Sequence, residues 1–220
     1  MRLWRSGFHF YFLGIIILTL GIAFSIQSFL GTSPFDALLV GLYRTFGLSI
    51  GSWEIVVGLT MIMGNALIER KRPEYFAILT SLITGIGIDT WMFFLSDWIV
   101  PQTWFSQYIF LIVGIVLTAL GVATYLQSEI APNPLDRSML IISKITGWSV
   151  SYARALINVI LVMIAFLFDG AIGIGTLINA IIAGIFINLF LPYLRRARAI
   201  TDNKWLINKP KPSRVPDDVK

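Results

Sequence analysis

Residues 27–36 read Gln27-Ser28-Phe29-Leu30-Gly31-Thr32-Ser33-Pro34-Phe35-Asp36, and residues 127–136 read Gln127-Ser128-Glu129-Ile130-Ala131-Pro132-Asn133-Pro134-Leu135-Asp136. Gln-Ser, Pro and Asp recur in one register at an offset of 100 residues. The register extends outward on both sides. Phe10, Gly14-Ile15, Leu20-Gly21 and Ala23 return as Phe110, Gly114-Ile115, Leu120-Gly121 and Ala123, and Gly47-x-Ser49 returns as Gly147-x-Ser149. Over residues 10–49 this amounts to 12 identities in 40. Apolar composition produces chance matches among Leu, Ile and Val, but not Gln-Ser, Pro-x-Asp and Gly-x-Ser in a single register. Shifted by one residue, Gly85-Ile-Gly-Ile-Asp89 weakly answers Gly184-Ile-Phe-Ile-Asn188. The chain contains an internal repeat.

The residues around the repeat say where it folds. Of 220 residues, 56% are hydrophobic and only 13% charged, and the mean hydropathy is +0.79. A soluble domain carries about a quarter charged residues, so half of its usual polar surface is missing. Six stretches, 8–30, 51–68, 75–96, 105–128, 150–168 and 172–194, approach the ~20 apolar residues that span a bilayer. The first is too long for a signal peptide core and is expected to remain as a span. Two further apolar stretches, 34–47 and 134–146, would make helices of only about 20 Å at ~1.5 Å per residue, too short to cross.

Basic residues orient the spans. If the short stretches do not cross, Arg2, Arg5, Arg70, Lys71, Arg72, Arg137, Lys144, Arg195, Arg196 and Arg198 all fall on one side. The other side receives the 97–104 loop and the Asp169-Gly170 turn, which lack Lys and Arg, and Arg44 alone. If both cross, the triple-basic loop is forced outside. The first arrangement predicts both termini in the cytoplasm. Trp91, Trp98 and Trp104 suit an aromatic belt near the outer loop. Each half then holds three spans and a short segment, so the halves enter the membrane from opposite sides. The expected fold is an all-α, polytopic membrane helix bundle. It has six spans plus two short interrupted or re-entrant helices, built as two inverted repeats (about 8–98 and 105–194). Residues 195–220 form a basic cytoplasmic tail, too polar and Pro-rich around Lys209-Pro-Lys-Pro-Ser-Arg to fold alone. The net charge of +5 belongs entirely to that tail. It therefore points to orientation and anionic lipid rather than to nucleic acid.

The short segments carry the most specific polar pattern. Ser33 or Asn133 stands at an N-cap position, Pro34 or Pro134 at the first helical position, and Asp36 or Asp136 at the third. That is a capping-box arrangement, with a carboxylate placed to suit the helix dipole. An interrupted backbone at membrane depth must also line protein or a water-filled cavity, which makes Asp36 and Asp136 a candidate pair for binding a cation or relaying protons. Both readings stay open, and capping alone explains the spacing. Glu54 and Arg154 occupy equivalent positions with opposite charge, either paired, partnered by Asp36 or Asp136, or snorkelling to water. Asp89 lies deepest in a span and its counterpart Asn188 keeps a polar group there, which points to a hydrogen-bonding role shared by both halves. With Gln27 and Gln127 they join Asp36, Asp136, Glu54 and Arg154 as candidate substrate- or ion-binding residues. Asn65, Asn158 and Asn179 suit interhelical hydrogen bonds; Gly14, Gly21, Gly58, Gly64, Gly85, Gly114, Gly121, Gly173 and Gly175 suit close helix approach.

Several function classes are excluded or weakened. There is no cysteine, and the single histidine, His9, reads as an interfacial side chain. No Walker loop, dinucleotide fingerprint or nucleophile elbow occurs. The acid at Asp89 lacks both the spacing and the partner of an intramembrane aspartyl protease. No enzyme activity, cofactor or metal is expected.

Gly31-Thr-Ser-Pro-Phe-Asp36, Gly47-Leu-Ser-Ile-Gly51, Lys71-Arg-Pro73 and Gly173-Ile-Gly-Thr176 occur in order along the chain. In these motifs the chain resembles the YczE/YitT-type group of bacterial multi-pass membrane proteins, most closely its YczE members, over about residues 8–194. The second half departs from the group. Asn133-Pro-Leu-Asp136 replaces a Gly-Pro-Arg-Asp-like turn, and Asn158 stands where an acid usually follows Arg154, which weakens a fixed charge-pair role for that arginine. The resemblance implies a bacterial cell membrane but names no substrate, because the group is largely uncharacterised. Two functions fit: a secondary transporter or permease of a small molecule, or a non-transporting partner or regulator of another membrane-associated protein or biosynthetic complex. The lipid bilayer is the expected environment, and a homo-oligomer or protein partner is compatible with either function.

Overall fold

The two copies of Ser/Asn-Pro-x-Asp lay down the same local structure. The structure, a computed structural model, describes residues 3–98, 100–130 and 133–207, excepting the side chains of 3–6, 96–98 and 202–207. Among them are eight helices: α1 (Leu3–Gln27), α2 (Pro34–Phe46), α3 (Ile50–Glu69), α4 (Tyr75–Trp98), α5 (Trp104–Leu126), α6 (Pro134–Thr146), α7 (Val150–Leu167) and α8 (Ile174–Ile207). Pro34 and Pro134 open α2 and α6, because proline lacks the N–H that the first turn leaves unbonded. Gly47 (φ 77°) and Gly147 (φ 72°) close them. Their N–H groups return to Tyr43 O and Ser143 O, in a backbone region that glycine enters without steric cost. Ser49 and Ser149 then cap α3 and α7.

Six of the helices, α1, α3, α4, α5, α7 and α8, are long and apolar enough to cross a membrane. α2 and α6, at 13 residues each, are not. Apolar side chains such as Phe93, Phe166 and Leu177 cover the outside of the bundle, as a lipid-facing surface requires. The Trp98 side chain, Arg2, Ala131, Pro132 and the 208–220 end of the basic tail lie outside the described residues. The helical backbone does not stop at 194: α8 continues through Arg195, Arg196 and Arg198 to Ile207. Arg198 fastens it to the turn after α5 by donating to Gln127 O and to Glu129 Oε1 (2.9 Å).

α1 and α5 form the spine. A Cβ on Gly14 would stand 2.4 Å from the Tyr125 nitrogen, and one on Gly114 2.3 Å from Ser25 Oγ. Likewise Gly21 meets the Thr118 nitrogen at 2.3 Å and Gly121 the Leu18 nitrogen at 2.3 Å. Each glycine pair is seven residues apart, two turns on one helix face. Hydrocarbon chains give no drive for burying apolar surface, so helices there associate through close van der Waals packing, and small residues permit it. The pairing is also self-complementary. Position 14 meets 125 as 114 meets 25, and early residues of α1 meet late residues of α5. The two helices are therefore antiparallel and exchange roles, the relation a two-fold axis produces. Among the other expected close approaches, Gly58, Gly85, Gly173 and Gly175 have tight neighbours, whereas Gly64 faces open space.

The remaining helices pack around this pair. α4 packs on α1 and α8 on α5; α2 lies against α3 and α7, and α6 against α7 and α3. Each short helix thus contacts both halves. Arg44 near the end of α2 donates to Asp169 O (2.8 Å) in the α7–α8 loop. Arg137 of α6 joins Glu69 (2.7 Å) and Glu74 (3.2 Å) around the α3–α4 loop.

Candidate functional site

The first turns of α2 and α6 meet the middles of α1, α4 and α5 around a cavity of about 320 Å³. Both short helices present an N-terminus there, and each local sequence decides what that N-terminus does. On α2, Ser33 Oγ accepts from the Asp36 N–H (3.2 Å) and donates to Asp36 Oδ2 (2.6 Å). Asp36 therefore grips the cap hydroxyl rather than the cap N–H that a full capping box would use. On α6, Asn133 Oδ1 accepts from the Leu135 N–H (2.9 Å), leaving Asp136 free of capping. Its Oδ2 accepts from Tyr125 Oη (2.9 Å), and its Oδ1 lies 3.9 Å from Arg154 Nη2.

Glu54, from the first turns of α3, completes the charged set. It is 3% exposed, Asp36 is 5% exposed, and Glu54 makes no hydrogen bond or ion pair among the described residues. Glu54 and Arg154 line one cavity, yet they do not pair: Arg154 goes to Asp136. Thr84 and Thr118 stand in the wall with hydroxyls that find no partner among the described residues. The rest of the wall is apolar, with Leu18, Ile22, Phe35 and Met139 contributing. A second opening of about 560 Å³ separates α7 from α8 and shares Val150, Arg154 and Ile187 with the first. No group of three or more His, Asp or Glu able to hold a metal occurs among the described residues.

This architecture has relatives. The sequence matches the model of a family of unknown function, DUF6198, over residues 6–192. The chain belongs to this family. It is 42% identical over 187 residues to the uncharacterized protein YyaS of Bacillus subtilis (strain 168), covering 85% of this chain and 93% of the relative. It is 33% identical over 184 residues to the uncharacterized membrane protein YczE of the same strain, covering 83% and 84%. An uncharacterized protein of Haemophilus influenzae is 26% identical over 182 residues, covering 82% and 81%. No solved structure matches. The resemblance to YczE holds along most of the chain, and the chain is a multi-pass membrane protein.

The structure distributes the family member's sequence-derived candidates over several places. Asp36, Glu54, Asp136 and Arg154 come together with Ser33 and Asn133. Asp89 does not join them. Its Oδ2 accepts from Ser49 Oγ (2.5 Å) and its Oδ1 from the Gly51 N–H (2.8 Å), so this carboxylate closes the N-terminus of α3. A helix N-terminus attracts a carboxylate through its free N–H groups and dipole, which accounts for an acid deep in α4. Asn188 instead lines the opening between α7 and α8. Gln27 faces a separate hollow beside Arg44 and Asp169. Gln127 is buried and donates to Ala123 O (3.1 Å). Sequence reasoning missed Tyr125, whose signal was weak: a tyrosine late in α5, where the first repeat has Ser25.

Proposed function

We propose that the chain is a secondary transporter, a permease moving an unidentified small molecule across the bacterial cell membrane without hydrolysing ATP. The observation that carries this is the cavity itself, where N-termini of two short helices and charged groups from both halves converge within a bundle of apolar helices. Transporters assembled from repeats of opposite orientation hold substrate at such a meeting point, between interrupted helices. The exchange of contacts between antiparallel α1 and α5 supports inverted repeats. If both helices span the bilayer, the axis relating them lies in its plane.

α2 and α6 are then re-entrant. Their first turns meet at the cavity, while Arg44 ties α2 to the α7–α8 loop and Arg137 ties α6 to the α3–α4 loop. With Arg70, Lys71 and Arg72 in the cytoplasm, the 97–104 and 168–173 loops face outward and both termini face inward.

The test is flux in proteoliposomes loaded with isotope-labelled bacterial metabolite extract. Wild-type vesicles are expected to exchange at least one compound faster than empty vesicles, and Asp36→Asn and Asp136→Asn to slow that exchange. No exchange above empty vesicles, together with a stoichiometric protein partner on purification, replaces the permease by a non-transporting membrane partner. Single cysteines at positions 71 and 102 check orientation, because the natural chain has none to interfere. Labelling of position 71 from outside would reverse it.

A further inference from the structure

We propose that the cavity takes a singly charged organic ammonium compound, its nitrogen held by Glu54 and Asp36 and its apolar body against Leu18, Ile22, Phe35 and Met139. This deepens, and rests on, the reading of the cavity as the substrate site.

The charge count leads to it. Asp36, Glu54 and Asp136 contribute three carboxylates to the cavity and Arg154 one guanidinium. The N-termini of α2 and α6 add roughly half a positive charge each. With all three carboxyl groups ionised, as they would be beside a bound cation, about one negative charge is left over. Arg154 and the Tyr125 hydroxyl are already engaged with Asp136, so the surplus sits at Asp36 and Glu54. Both are more than nine-tenths buried, and Glu54 has no partner among the described residues. An unpaired carboxylate in a low-dielectric interior is costly and is normally matched by a cation or a proton.

The shape of the cavity selects among cations. A bare inorganic ion is held by a close shell of oxygens, and a space of about 320 Å³ with a mostly apolar wall offers no such shell. A polyamine brings more charge than the cavity leaves uncompensated. A monoamine with a compact hydrocarbon body satisfies both the single charge and the apolar wall. The hydroxyls of Thr84 and Thr118 supply unused polar atoms in the same wall.

Binding and flux are measured separately. Purified full-length protein in detergent is titrated calorimetrically, at neutral pH, with three protonated monoamines (hexylamine, cyclohexylamine and 2-phenylethylamine). The corresponding alcohols and hexanoate serve as controls. At least one amine is expected to bind, with the alcohols and hexanoate weaker by at least about tenfold. Glu54→Gln and Asp36→Asn are expected to lose about tenfold or more in amine affinity. Thermal melts establish that each variant is folded, and Arg44→Gln, at the far end of α2 and outside the cavity, is expected to leave amine affinity unchanged. The proposal is overturned if no amine binds, if an alcohol or hexanoate binds as well as its amine, or if a folded Glu54→Gln keeps wild-type affinity. Amine binding without vesicle flux removes the transporter reading and leaves the ligand class intact. Flux of an anion with no amine binding does the reverse.

Discussion

The α3–α4 joint and the α7–α8 joint begin from equivalent stretches of sequence and end differently. In the first half, a Cβ on Gly51 would meet Gly85 O at 2.0 Å and one on Gly85 would meet Gly51 O at 2.4 Å. The helices cross with backbone against backbone, and Asp89 fastens the crossing through Ser49 and the Gly51 N–H. In the second half Ser151 stands where Gly51 does and Asn188 where Asp89 does. There α7 and α8 stand apart around a space of about 560 Å³, and a Cβ on Gly184 would find only the end of Arg154, at 4.0 Å. Two differences accompany the open joint: a serine side chain where only hydrogen fits in the first half, and an amide where a carboxylate caps a helix. The first joint is closed, and the opening at the second shares Val150, Arg154 and Ile187 with the cavity.

The largest effect should come from filling the closed joint. Gly51→Leu drives a side chain into fixed backbone, so a loss of at least about 3 kcal/mol is expected, read as a lower melting temperature in detergent. Gly184→Leu should change stability little. Equal losses at the two positions would erase the comparison.

Water access should differ next. Ala155→Cys lies in the wall of the open joint, while the equivalent Ile55 packs beside Gly85. A polar maleimide should label position 155 on the order of tenfold faster than Ile55→Cys, since thiol reaction follows exposure. Similar rates would mean that α7 and α8 close in the membrane.

Asp89→Asn should cost about 1–2 kcal/mol by weakening charge-assisted bonds to Ser49 and Gly51, while Asn188→Asp should not recover a matching amount. The smallest contrast concerns the loop ties. Arg137→Gln, which breaks contacts at 2.7 and 3.2 Å to two carboxylates, should destabilise by about 1 kcal/mol. Arg44→Gln, at a 3.9 Å pair whose Asp169 is 91% exposed, should cost only ~0.5 kcal/mol or less. A larger effect at Arg44 would make the α2 tie the dominant one.

Much of the frame was legible because its causes are local. Proline at the first helical position, the capping serines and asparagine, and the glycines after each short helix act within a few residues, so the bounds of α2 and α6 follow from the chain itself. The spans were legible because an apolar run of the right length needs no partner to be read. The site was only half legible. Capping and cavity lining both explained Asp36 and Asp136, and the structure divides the roles: Asp36 holds its cap hydroxyl, whereas Asn133 takes over capping and releases Asp136 to Tyr125 and Arg154. Asp89 was legible as a hydrogen-bonding group, but depth in a span could not name a partner 38 residues earlier.

By itself the sequence determined a repeated chain of long apolar helices and two short capped ones, and which charged residues fall within or beside the apolar stretches. Helix length, capping and hydropathy are set by neighbours along the chain. Only the tertiary structure decided that Arg154 serves Asp136, that Glu54 is left without a partner among the described residues, and that one joint closes while its counterpart stays open. Those outcomes depend on how closely two backbones approach, which the crossing of α1 and α5 and the atoms at Gly51 and Gly85 control from far away in sequence.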